Sequence, residues 1–256
     1  MIRTALAAAA LLFVAACADR PADPPEPVAE PSIDPTAKAK AVKTADDLLD
    51  FSYVWPVEAS SIPALNQRLE AELTRDRAEA EATAREDQAS RGTEYPFNGH
   101  YFNKSWQRYG ESRRLLSLAA EVSTFTGGAH GNSGFDQILW DRQARGAIEP
   151  LALFADAAAA NAALTPLYCA ALDRERAQKR QETLPLSGEG WMVECPALTD
   201  QALVPLDQNG DGRFERLRVM IAPYEAGPYA EGSYEFDIEV TDAIRRMLKA
   251  DYRESF

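Results

Sequence analysis

One stretch near the middle of the chain, Ser123-Thr-Phe-Thr-Gly-Gly-Ala-His-Gly-Asn-Ser-Gly-Phe-Asp-Gln-Ile-Leu-Trp-Asp141, restricts the fold more than any other. A glycine-rich turn lies between two runs of strand formers, so the segment is predicted to be a β-hairpin. Upstream, Leu116, Leu118, Ala120 and Val122 alternate with more polar or smaller neighbours at the period of two of a half-buried strand. Downstream, Ile138 and Trp140 face one way and Gln137, Leu139 and Asp141 the other. Gly127 and Gly128 tolerate the positive φ that such a turn needs, Asn132 is the next most tolerant type, and His130 sits at the tip.

Three features carry a family resemblance: Thr126-Gly-Gly-Ala-His-Gly-Asn132, the segment Ala222-Pro-Tyr-Glu-Ala-Gly-Pro-Tyr-Ala230, and a strand with a closing helix over Tyr234 to Leu248. Together they resemble the bacterial extracytoplasmic domain shared by the anti-sigma factor RsiV and the N-terminal part of the deacetylase PdaC. The likeness spans roughly residues 45 to 250. It implies a mixed α/β domain outside the cytoplasm. In RsiV-like proteins that domain recognises lysozyme, and in PdaC-like proteins it precedes a separate catalytic domain. On the matching positions, Thr126, Gly127, Gly128, His130, Asn132, Tyr224 and Tyr229 are the candidate ligand contacts. The chain is expected to lack both a sigma-binding segment and a second catalytic domain, so the domain carries over and its ligand stays open.

The fold class expected is α+β: an antiparallel sheet with a central hairpin packed against helices, in a single domain over residues 45–256. Ahead of it, Arg3 and the apolar run Ala5 to Val14 read as a signal peptide over residues 1–16, too short to remain as a membrane span. Val14-Ala-Ala-Cys17 resembles a lipobox, which implies cleavage before Cys17 and lipidation of its sulfur. An ordinary secretory signal with an incidental cysteine is the alternative. Ala18 after the cysteine resembles the pattern directed to the outer membrane, facing the periplasm, in Gram-negative lipoproteins. Residues 17–44 are expected to be a linker, with prolines at 21, 24, 25, 27, 31 and 35 and no hydrophobic period.

Lys and Arg number 27 against 40 Asp and Glu, a net charge of −13. Nucleic acid and anionic lipid surfaces reward a basic face, so neither is an expected partner. A cationic protein or glycan suits the charge better, although acidity also serves solubility alone. With Cys17 assigned to the lipobox, Cys169 and Cys195 remain in a compartment where disulfides persist, and they are expected to pair.

Along the rest of the chain, Thr44 and Asp47 resemble a capping box for a short helix through Leu48 and Leu49, with a first strand at Phe51 to Trp55. Ser60 or Ser61 is expected to cap the next helix, whose apolar stripe is Ile62, Leu65, Leu69 and Leu73. Its continuation, Arg75 to Gln88, reads as solvated. Tyr95 to Tyr109 is aromatic-rich, with a strand from Tyr101 and a turn at Gly110; its rings suit a core or a glycan-stacking face. Ala157 to Arg180 reads as helical, restarting near Pro166, with Leu164, Leu167, Tyr168, Ala171 and Leu172 on one face and an exposed charged end. Leu217, Val219 and Ile221, then Tyr234, Phe236, Ile238 and Val240, alternate as strands, and Thr241 or Asp242 caps a last helix.

Catalytic chemistry is sparse. Only His100 and His130 are available, so paired-histidine metal motifs cannot be built. A Ser133, His130 and Asp136 set is conceivable, but a triad is defined by geometry. Asp207, Asn209 and Asp211 stand where an EF-hand loop places its first calcium ligands, yet Arg218 occupies the position of the closing glutamate, and a polar turn fits as well. No cofactor is expected, with calcium left open. The reading that results is a lipid-anchored envelope binding module for lysozyme-like hydrolases or peptidoglycan. Its alternatives are a cell-wall hydrolase or deacetylase-related enzyme, and a structural envelope lipoprotein.

Overall fold

The computed structural model describes residues 33–91, 96–186 and 190–256. The expected signal peptide, Cys17 and most of the expected linker lie outside the described residues. Six strands form one sheet in chain order: β1 (Lys40–Ala45), β2 (Leu49–Trp55), β3 (His100–Glu111), β4 (Leu115–Phe125), β5 (Asn132–Asp141) and β6 (Gly146–Ile148). All neighbours are antiparallel except β2 and β3, which are parallel and therefore need a crossover. The short helix α1 (Val57–Ser60) and the long helix α2 (Pro63–Ser90) supply it. A smaller antiparallel sheet follows, β7 (Ala202–Leu206), β8 (Arg216–Ile221) and β9 (Tyr234–Glu239), with α3 (Ala157–Arg180) before it and α4 (Asp242–Met247) after it.

The layers run α2, large sheet, small sheet, α3. Phe51, Tyr53, Trp55, Trp106, Leu116, Leu118, Ile138 and Trp140 meet Leu65 and Leu69 of α2 in one core. Leu115 and Leu139, on the opposite face, join the core that the small sheet builds with Leu164, Tyr168 and Leu172 of α3. Each fully buried large side chain contributes on the order of 1.5–3 kcal/mol relative to exposure. The α+β fold with a central hairpin is therefore as expected, but β4 is covered on both faces from Leu115 to Ala120. The half-buried reading failed because Ala119 packs against Ala202, Val204 and Met220 of the small sheet.

Other expectations are corrected locally. Thr44 lies in β1, paired with Phe51, and no helix forms at Leu48; the Asp46 carboxylate instead accepts from the Leu48 and Leu49 amides in the β1–β2 turn. The ordered domain thus begins at least by Lys40, inside the expected linker. Neither Ser60 nor Ser61 caps α2: Pro63 starts it without a side-chain cap. Gly110 is inside β3 at a register shift, where a Cβ would stand 2.6 Å from that of Asp207.

The helix α3 runs unbroken through Pro166, with Asp156 accepting from the Ala159 amide at its start. Leu167 is 47% exposed and leaves the expected stripe. The charged end is not simply solvated, since Arg176 is wholly buried. Cys169 of α3 is disulfide-bonded to Cys195 as expected.

Candidate functional site

The β4–β5 ladder zips as far as Thr124 opposite Asn132, leaving Phe125 to Gly131 as the tip. Gly127 and Gly128 take φ of +92° and +100°, conformations that would strain any side chain. A Cβ on Gly127 would also strike the Arg91 guanidinium at the end of α2. Arg91 is held by Asp87 at 2.8 Å, and Asp87 also accepts from His100 Nε2 at 3.0 Å. The last turn of α2, read from sequence as solvated, therefore braces the tip.

The second motif approaches from the β8–β9 connection. His130 and Tyr229 stack with centroids 3.9 Å apart and planes 18° apart, and Tyr224 lies 5.4 Å from Tyr229 and 6.3 Å from His130. The Gly131 carbonyl can only accept, so its 2.8 Å contact places the proton on His130 Nδ1. The Tyr224 hydroxyl lies 3.4 Å from the other ring nitrogen, Nε2. The Tyr229 hydroxyl donates to the same Gly131 carbonyl at 2.9 Å. Tyr224 has φ of +73° and is 54% exposed, an unfavourable backbone that holds a large ring outward.

Charged residues of α3 fix this loop. Arg176 donates to the carbonyls of Ala226, Val193 and Glu194. Arg180 clasps both carboxylate oxygens of Glu231 at 2.8 and 3.0 Å, and Lys179 reaches the carbonyls of Glu231 and Ser233. Burial would raise the Glu231 pKa, but the Arg180 and Tyr234 bonds outweigh it and hold the carboxyl below its ordinary value. Burial and Glu231 push the Tyr234 phenol up to about 12.

Two further aromatics border the tip and were not assigned to the site from sequence. Tyr101 stacks on Phe125 across the ladder at 5.9 Å, and Gly131 leaves room for the Tyr101 hydroxyl. Tyr101 is 39% exposed. The aromatic run around Tyr95 to Tyr109 hinted at such a role, although Tyr95 itself lies outside the described residues. Thr126 and Asn132 are exposed at the tip, as are Gly128 and His130.

The other candidate sets divide. Ser133 and Asp136 have opposite parity on β5 and point to opposite faces, and Asp136 pairs with Lys104 beneath α2, so no Ser133, His130 and Asp136 triad is assembled. Asp207 accepts from the Gly210, Asp211 and Gly212 amides, Asn209 from Asp211, and Glu215 from Gln208 and Asn209. The loop's side-chain oxygens thus hold its own backbone. Among the described residues no cluster of three or more His, Cys, Asp or Glu is placed to hold a metal ion, and no helix is long and apolar enough to cross a membrane.

No match was found among curated protein sequences. The chain is similar in structure to a member of the DUF3298 family from Bacteroides fragilis NCTC 9343, at 15% identity and TM-score 0.53, over 86% of this chain and 97% of that one. It is likewise similar to a DUF3298 family protein from Pseudomonas aeruginosa PAO1, at 15% identity and TM-score 0.51, over 85% and 96%. The sequence model of the family described as Deacetylase PdaC matches residues 42–133, which include the hairpin tip but not the tyrosine loop. Residues 42–133 therefore match the PdaC family model, and the chain shares its fold with these two DUF3298 family proteins.

Proposed function

We propose that the protein is an envelope-associated binding module whose recognition face is the hairpin tip together with the tyrosine loop, and whose partner is a lysozyme-like hydrolase or peptidoglycan. One observation carries this reading. Two motifs far apart in sequence close on each other through the His130–Tyr229 stack and present Tyr224 to solvent from a strained backbone. Large amphipathic rings on a rigid support are what binding faces use, because few rotamers are lost on contact. Both His130 nitrogens are engaged, which favours a structural place in the face over a general-base role. The net charge of −13 suits a basic protein partner. Lipid anchoring through Cys17 belongs to the same proposal and would hold the face outside the cytoplasm.

The test is capture of a panel of lysozymes and of peptidoglycan sacculi by the purified full chain, beside Tyr224→Ala and His130→Ala. The reading expects salt-sensitive capture of a lysozyme, or capture of sacculi, that both variants weaken while their thermal melts stay cooperative. No capture of either, or capture indifferent to both variants, overturns it.

A further inference from the structure

We infer that a cleft between α2 and the root of the hairpin is a second binding site, one that takes a small organic cation, a protonated amine on a short apolar body. The cleft holds about 310 Å³, at the small end of ligand sites. It lies on the α2 face of the large sheet, opposite the small sheet that carries the tyrosine loop. Leu49, Phe102, Val122 and Ala80 give it apolar walls, and Asp76, Glu79 and Asp136 give it carboxylates.

Charge selects the ligand. Three carboxylates line the cleft, Asp76, Glu79 and Asp136, against the two cations Arg75 and Lys104, and Glu72 lies outside the lining, bonded to Lys104. Asp136 meets Lys104 through Oδ2 and is half-exposed, while Glu79 is exposed with no ion pair among the described residues. A cleft with low-dielectric walls and excess negative charge concentrates cations and repels anions. Lys104 shows that this environment holds an ammonium: burial works against its charge, yet Asp136 and Glu72 raise its pKa, and the rings of Trp106 and Tyr53 lie 5.3 and 5.8 Å from Nζ. His100, whose side chain is 2% exposed, closes the wall and is held there by Asp87, 3.0 Å from its Nε2.

Methyl NMR of the full chain with butylamine, butyrate and butanol tests the site. Saturable shifts at Leu49, Ala80 and Val122 are expected with butylamine and not with the other two. Glu79→Gln, at an exposed side chain, should weaken butylamine roughly twofold to fivefold, as expected for one solvent-exposed charge. The cleft shares Tyr101, Phe125 and Thr126 with the border of the tip but not His130, Tyr224 or Tyr229, so His130→Ala should leave butylamine binding unchanged while weakening partner capture. A Gly-Lys-Gly peptide distinguishes sources: tighter binding than butylamine assigns the ammonium to a polypeptide side chain, and equal binding to a free amine. Absence of butylamine shifts at millimolar concentration, equal shifts with butyrate or butanol, or indifference to Glu79→Gln overturns the inference.

Discussion

Replacing Lys104 by Met isolates the network that joins α2 to the sheet. The Lys104 side chain is 4% exposed, and its ammonium meets Glu72 at 2.5 Å, Asp76 at 3.5 Å, and Asp136. Removing one partner from a buried ion pair generally costs about 3–5 kcal/mol, because a charge is left desolvated. Here the lower end applies. Asp76 keeps Arg75 at 2.7 Å, Glu72 keeps the Tyr53 hydroxyl at 2.8 Å, and Asp136, half-exposed, regains water. A loss of about 3 kcal/mol is still a large share of a typical total of about 5–15 kcal/mol. Asp136→Asn removes only the exposed arm and should cost about 0–1 kcal/mol. Urea titration of both variants would read this as a shifted midpoint at unchanged slope. Burial pulls the Lys104 pKa down, but Asp136 and Glu72 push it up and prevail. A raised folded-state pKa means the stabilisation is complete below the unfolded lysine value of about 10.4 and is lost as pH rises through the folded value. The gap between wild type and Lys104→Met should therefore hold through neutral pH and narrow in alkali. Equal costs for the two variants, or a gap that widens in alkali, would refute the reasoning.

Gly127→Ala should destabilise by about 1–2 kcal/mol, from a positive φ and a clash with Arg91, and should move the tip resonances of His130 in an NMR spectrum. Asp207→Ala removes the acceptor for three amides and should cost about 1–3 kcal/mol, while millimolar calcium leaves the wild-type midpoint unshifted because those oxygens are already engaged. Replacing Cys169 and Cys195 by Ala should cost about 3–4 kcal/mol by the loop-entropy account, seen in the denaturation midpoint. Burial raises the Asp141 pKa, but Arg114, Ala144, Tyr252 and Gln143 outweigh it and hold it below its ordinary value. Its stabilisation is then present above the unfolded pKa and lost as pH falls through the folded one, and Asp141→Asn should flatten that acid limb.

The hairpin was legible because turn chemistry and a period of two agree over one short stretch, as they do for β9 with its Thr241 cap. The strand β7 was not, since Pro205 argues against a strand; as an edge strand of the small sheet it tolerates the missing amide. That missed strand is also why β4 was read as half-buried. Charged runs misled in the same manner twice. Charge in sequence signals solvation, yet Asp87 and Arg91 brace the tip, and Arg176 and Arg180 clamp the tyrosine loop. Each residue of the candidate face could be named from its motif, but their convergence, and the inclusion of Tyr101 and Phe125, depends on strand register and sheet packing that no local pattern records.

The central claim is that the tip and the tyrosine loop act as one face. Hydrogen–deuterium exchange of the full chain, alone and with the lysozyme or sacculi it captures, tests this most directly. Joint protection of residues 126–132 and 222–230 is the expected result. Protection of only one segment, or of neither while partner is bound, would contradict the account.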